Sequence, residues 1–224
     1  IAQFLSGVGS LMFAFAKNPF FKIKRQQRKM DMEIIWQCTR MGVPLAFQTS
    51  LIAVSCVALQ SVVNTFGSVV VAAFTATSRF EQVVQQPYNS LGMAVSTYTG
   101  QNIGAGKIDR VRQGYRRGLL IMAVFAMIMI PAAQFGGDFI MRLFVPDAEV
   151  IAFGSHALKI TSWFYLFLGS IYVTRGLLNG AGDAAFAFAN GLVEMLGRIC
   201  LAKPLTLIPS VGVWGVWLAT ALTW

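Results

Sequence analysis

Residues 41–78 carry no charged side chain, a stretch too long for one membrane span of about 20 residues. The cluster Asn64-Thr65-Phe66-Gly67-Ser68 divides it with a turn, so the pattern predicts one helix over 41–64 and another from 69 to 100. Further apolar runs predict helices over 114–135, 150–176 and 184–207, and the start of one more near 211. The chain opens on a partial run, IAQFLSGVGSLMFAFAK, which has no basic leader and does not read as a signal peptide. It closes on VGVWGVWLATALTW, about 14 residues into a span that needs about 20. Both ends read as cut within helices of a longer, all-α integral membrane protein.

Composition agrees. The chain is 56% hydrophobic and 12% charged, where soluble domains carry roughly 25% charge. Its net charge of +9 would suggest nucleic acid in a soluble protein, but the placement of the cations points elsewhere. The segments joining the runs fall into two alternating sets. One set, 17–40, 102–117 and 175–183, holds Lys17, Lys22, Lys24, Arg25, Arg28, Lys29, Arg40, Lys107, Arg110, Arg112, Arg116, Arg117 and Arg175. The other, 65–68, 137–149 and 208–210, holds only Arg142. This positive-inside asymmetry makes 17–40 and 102–117 cytoplasmic and accounts for the charge by topology and anionic lipid. No nucleic-acid partner is needed. Cys38, Cys56 and Cys200 are far apart in sequence and His156 stands alone. They fit no disulfide framework, metal site or catalytic cluster, so the chain is expected to be no enzyme and to use no cofactor.

The stretch TGQNIGAGKIDRVR at 99–112 resembles a phosphate loop, with glycines beside positive charge. Its Gly100-to-Gly106 spacing is one residue too long, Ile108 stands where Ser or Thr would hold a metal, and no strand precedes it. Gly100, Gly104 and Gly106 are expected instead to end one helix and turn the chain. Asp109 then suits the start of the next helix. The same device recurs as NGAGD at 179–183.

Polar residues inside a span mark where chemistry could sit. Ser78, Glu81, Gln82, Gln85 and Asn89 repeat at i, i+3, i+4, i+7 and form one stripe. Glu81 lies about 12 residues into its helix, roughly 18 Å deep. Pro87 in the same helix removes a backbone donor and is expected to bend it. Arg79 accompanies Glu81, and Glu194 lies with Arg198 on the 184–207 run, about ten residues or roughly 15 Å from its end. Glu194 and Arg198 have the favourable i, i+4 order for an ion pair. Cross-pairs, Glu81 with Arg198 and Glu194 with Arg79, are the other arrangement. Two readings stand side by side: a structural charge network, or direct handling of ion or substrate, with Glu81 exchanging protons. Gln48 and Gln60 line up either as cavity wall or as interhelical hydrogen-bonding groups. Trp163, Phe164 and Tyr165 could stack on an aromatic cation or simply pack.

GVPLAFQTS at 42–50, SRFEQVVQQPYNSLG at 78–92, GQNIGAGKIDRVRQG at 100–114 and RGLLNGAGD at 175–183 together resemble the multidrug and toxin extrusion (MATE) family. The resemblance runs over nearly the whole chain. It implies twelve helices in two six-helix lobes. Residues 1–16 would end helix 6, 17–40 would be the basic cytoplasmic inter-lobe linker, and 41–224 the C-terminal lobe, helices 7–12, the last truncated. It also implies efflux of small, cationic, amphipathic drugs across the plasma membrane, by H⁺ or Na⁺ antiport and alternating access against an N-terminal lobe. The same superfamily contains lipid-linked oligosaccharide flippases, the alternative function. One branch of the family couples through an acid in helix 7, and 41–64 contains none. Balanced charges at Arg79, Glu81, Glu194 and Arg198 speak against the broad basic cavity a flippase would need.

Overall fold

Local sequence signals set the ends of most helices in the computed structural model, which describes residues 2–17 and 30–224, the side chains of Ala184 and Ala187 excepted. Among these residues the order is α1 (Ala2–Lys17), α2 (Met32–Val63), α3 (Ser68–Gly104), α4 (Ile108–Arg142), α5 (Ala148–Ser162), α6 (Tyr165–Gly180), α7 (Ala184–Leu207) and α8 (Gly215–Leu222). Single 3₁₀ turns cover Asn64–Phe66 and Gly212–Trp214. There are two compact units, Ile1–Thr39 and Arg40–Trp224, with α2 running through the boundary. The basic run Lys22 to Lys29 assigned to the linker lies outside the described residues. Met32 to Arg40, assigned to the same linker, is helical.

Aspartates cap three helices. Asp31 Oδ1 accepts from the backbone N–H of Glu33 at 3.0 Å. Asp147 Oδ1 accepts from Glu149 at 2.8 Å, and Asp183 Oδ1 from Phe186 at 2.9 Å. Each satisfies a donor that the first helical turn leaves free. The turn predicted at 64–68 is present, and Gly67 takes φ 91° there.

The two glycine motifs close their helices in the same way. Gly106 N–H donates to Ile103 O and Lys107 N–H to Asn102 O. Gly182 N–H donates to Asn179 O and Asp183 N–H to Leu178 O. Both are Schellman caps, with the glycine left-handed at φ 69° and φ 81°. Gly100 and Gly104 do not turn the chain as expected, because both lie within α3. The connection spans only Ala105 to Lys107, so Arg110 to Arg117 belong to the start of α4 rather than to a loop. α3 continues through Pro87 to Gly104.

The helix expected over 150–176 is two helices, broken at Trp163 and Phe164. Gln134 of α4 reaches into this break. Its Nε2 donates to Lys159 O at 2.8 Å and to Ser162 Oγ at 2.8 Å, and Ser162 Oγ itself donates to Lys159 O at 3.1 Å. The Lys159 carbonyl is thus taken by side chains where the next helical turn would have used it, and such insertion interrupts the ladder.

α3 packs against α6 and α4, α4 against α5 and α6, and α7 against α8. Small residues bring α3 and α6 together. A Cβ at Gly92 would stand 2.7 Å from Tyr172 O, one at Gly176 would collide with Gly92 O, and one at Gly180 with Ser96 O. Gly92, Ser96 and Gly100 face Tyr172, Gly176 and Gly180 at i, i+4 intervals, the pattern that lets membrane helices approach closely. One core, around Tyr88, Met122, Leu158, Tyr165 and Val173, fills the space among α3, α4, α5 and α6. A second, around Leu59, Val63, Ala202, Val216 and Trp217, joins α2, α7 and α8. Trp217 Nε1 donates to Thr77 Oγ1 at 3.1 Å within it.

The outward face of α4 is apolar. Leu120, Met127, Ile128 and Phe135 are all exposed, Phe135 by 92%. The α2 segment Met32–Phe66 and α4 are long and apolar enough to cross a membrane. Lipid is the medium that suits such a surface.

Candidate functional site

A cavity of about 330 Å³ opens among α2, α3, α6, α7 and α8. The polar stripe of α3 supplies one wall through Ser78, Glu81, Gln82 and Gln85, opposite Arg175, Glu194 and Arg198. Asn89, one turn on, lines a second cavity of about 620 Å³ with Gln48, Thr49, Ser96, Thr97 and Asn179. Ile52, Tyr172 and Arg175 border both cavities.

Glu194 is the anion at the centre of a triad. Its Oε1 accepts from Arg198 Nη2 at 2.8 Å and its Oε2 from Arg175 Nη2 at 2.9 Å. Glu194 and Arg198 are buried, each with a side-chain exposure of 7%, and Arg175 is part-buried at 15%. The remaining donors of Arg198 reach Ser55 Oγ at 3.1 Å, Cys56 Sγ at 3.2 Å and Thr223 Oγ1 at 3.3 Å, so its guanidinium ties α7 to α2 and α8. The predicted i, i+4 pair is therefore present, and its second cation is Arg175. Arg175, assigned above to a cytoplasmic connection, lies within α6.

Arg79 is corrected in the opposite sense. It is exposed on α3, on the side opposite Glu81, and makes no ion pair with Glu194. Residues two apart on a helix point in different directions, so burying Glu81 turns Arg79 away. Glu81 forms no ion pair with Arg198 either. Balance between acid and base in the site persists, with Arg175 in place of Arg79.

Glu81 is 7% exposed, and its Oε1 has no hydrogen-bond partner among the described residues. Thr161 and Tyr165 stand beside it, and the field of Arg198 reaches it. Thr161 Oγ1, Tyr165 OH and Tyr88 OH are buried and likewise unpartnered. Thr161 and Tyr165 flank the α5–α6 break, which presents them to the carboxylate. Gln85 Oε1 accepts from Tyr172 OH at 3.1 Å. Gln48 is 3% exposed and donates through Nε2 to Asn190 Oδ1 at 3.0 Å, the interhelical role weighed for it. Gln60 donates to Asn64 Oδ1 at 2.9 Å on its own helix end. Of the aromatic trio on α5–α6, Tyr165 is fully buried while Trp163 is 66% exposed, so the three do not form one stacking surface.

Arg175, Tyr172, Thr161 and Gln134 escaped the sequence reading. A signal for Arg175 existed: aligning Gly182 with Gly106 places Arg175 opposite Thr99, two turns inside its helix. No comparable sequence signal marks Gln134.

The lobe thus joins an apolar outer face on α4 to a polar interior cavity with an ion triad at its wall. The family model MatE matches residues 44–202, and the chain belongs to that family. It is 29% identical over 204 residues, 90% of the chain, to the probable multidrug resistance protein YoeA of Bacillus subtilis. It is 31% identical over 162 residues, 72% of the chain, to YpnP of the same organism, also named a probable multidrug resistance protein. Its fold matches a solved outward-facing multidrug resistance MATE transporter with a TM-score of 0.87 over 96% of the chain, at 19% identity. The chain spans 44% of YoeA, 36% of YpnP and 50% of the solved structure.

Proposed function

We propose that the chain forms the C-terminal lobe of an exporter of amphipathic organic cations, driven by inward flow of H⁺ or Na⁺. It works by alternating access against an N-terminal lobe, with the cavity as part of the pathway. The relatives' names as multidrug resistance proteins support the substrate class. The exporter sits in the plasma membrane, with 17–40 and the Gly106 turn on the cytoplasmic side, as the clustering of basic residues supports.

The observation that carries the coupling role is the contrast between the two acids. Glu194 is committed to two guanidiniums, whereas Glu81 is buried and forms no ion pair among the described residues. An uncommitted carboxylate can take up and release a cation; one locked in an ion triad holds the wall in place. Matching numbers of acids and arginines in the cavity weigh against lipid-linked oligosaccharide flipping.

The test is ethidium efflux from proteoliposomes carrying the full-length protein, under imposed H⁺ or Na⁺ gradients. Glu81→Gln is expected to abolish the gradient dependence while leaving ethidium binding. Unchanged efflux with an unchanged gradient dependence would sink the coupling role.

A further inference from the structure

Outside the transport cavity, a groove of about 270 Å³ lies between α3 and α4 on the outer surface of the lobe. Two glycines one turn apart open it. A Cβ at Gly118 would stand 3.0 Å from Val95 Cγ2 and 3.2 Å from Val173 Cγ1, and one at Gly114 would stand 2.5 Å from Tyr98 Cε1. The helices are therefore close at its floor.

The groove has a polar and an apolar end. Tyr98 and Gln113 line the end nearer the Gly106 turn, Arg117 lies level with Ala94 and Val95 midway, and Leu91 and Ile121 line the other end. That polarity is set by the chain: α3 runs toward the turn and α4 away from it, so residues equally distant from the turn meet. Arg117 is the last charge before the apolar run that begins at Gly118 and continues through the span, which puts it at headgroup level. Lys107, Arg110, Arg112 and Arg116 lie near the same end, and the one acid within 107–117, Asp109, pairs with Arg112 at 3.8 Å.

From this geometry we infer that the α3–α4 groove is a binding site for one anionic phospholipid. Arg117, Gln113 and Tyr98 hold its phosphate, and the upper part of one acyl chain lies along Leu91, Ala94 and Ile121. A cationic amphiphile meets repulsion at the polar end. A free phosphate leaves the apolar end unused. Zwitterionic lipid brings a cation of its own to the arginine cluster.

Native mass spectrometry of the purified, delipidated full-length protein tests this with phosphatidylglycerol, phosphatidylcholine and glycerol phosphate as probes. Phosphatidylglycerol is expected to bind at a saturable site that phosphatidylcholine does not fill. Arg117→Gln should weaken it about fivefold, the worth of one cation against an anionic headgroup. Ile121→Trp, at a position 57% exposed, should block the apolar end without disturbing the core. Arg112→Gln, which removes the same charge away from the groove, should leave binding unchanged. Equal loss in Arg112→Gln and Arg117→Gln would overturn the site in favour of diffuse attraction. So would equal binding of phosphatidylcholine, or full competition by glycerol phosphate. None of these readouts depends on transport, so the site stands or falls apart from the efflux reading.

Discussion

Glu194 sits 2.9 Å from the guanidinium of Arg175, a residue on another helix, and 2.8 Å from that of Arg198 on its own. Two guanidiniums thus share one carboxylate, whose single negative charge offsets only one of them. Losing it is costlier than losing either arginine. Glu194→Ala leaves both guanidiniums uncompensated and should cost at least about 3–5 kcal/mol, the usual loss on breaking a buried pair. Arg175→Ala leaves the Arg198 bond and should cost less. Thermal unfolding of the full-length protein in detergent would show Glu194→Ala melting well below Arg175→Ala. Arg79→Ala, on the exposed face, should melt within about 0.5 kcal/mol of the parent.

The close approach of α3 and α6 makes a second prediction. Gly176→Ala forces a methyl against the Gly92 carbonyl, and overpacking of this kind costs about 1–3 kcal/mol. Gly104→Ala, on the same α3 helix, meets nothing within 4 Å and should be neutral or slightly stabilising. A melting comparison of the two variants separates packing from a general intolerance of alanine.

The two Schellman caps predict a matched pair of effects. Gly106→Ala and Gly182→Ala each place an L side chain at positive φ, at about 1–2 kcal/mol. Equal losses in melting would confirm that the motifs act as turns. A much larger effect of Gly106→Ala on ligand binding than on stability would count against that.

Gln134 makes a fourth. Gln134→Leu removes both donors from the α5–α6 break and should cost about 1–3 kcal/mol. It should also slow amide exchange at Trp163 to Tyr165, as the Lys159 carbonyl becomes free to close the helix. Unaltered exchange there would show that the break has another cause.

Sequence alone determined the membrane class, the turn at 64–68 and the polar stripe from Ser78 to Asn89. These depend on local composition and on one helix's periodicity, which neighbours do not change. The Glu194–Arg198 pair was legible for the same reason, being an i, i+4 relation within α7. Tertiary structure alone decided where the second cation came from, which acid stayed uncommitted, and that 150–176 is two helices. Arg175 joined the triad because the fold sets α6 beside α7, where Glu194 lies. At the helix break, Gln134 reaches a single carbonyl from some 25 residues away in sequence. Relations of that kind depend on which helix faces which, and no spacing along one helix encodes that.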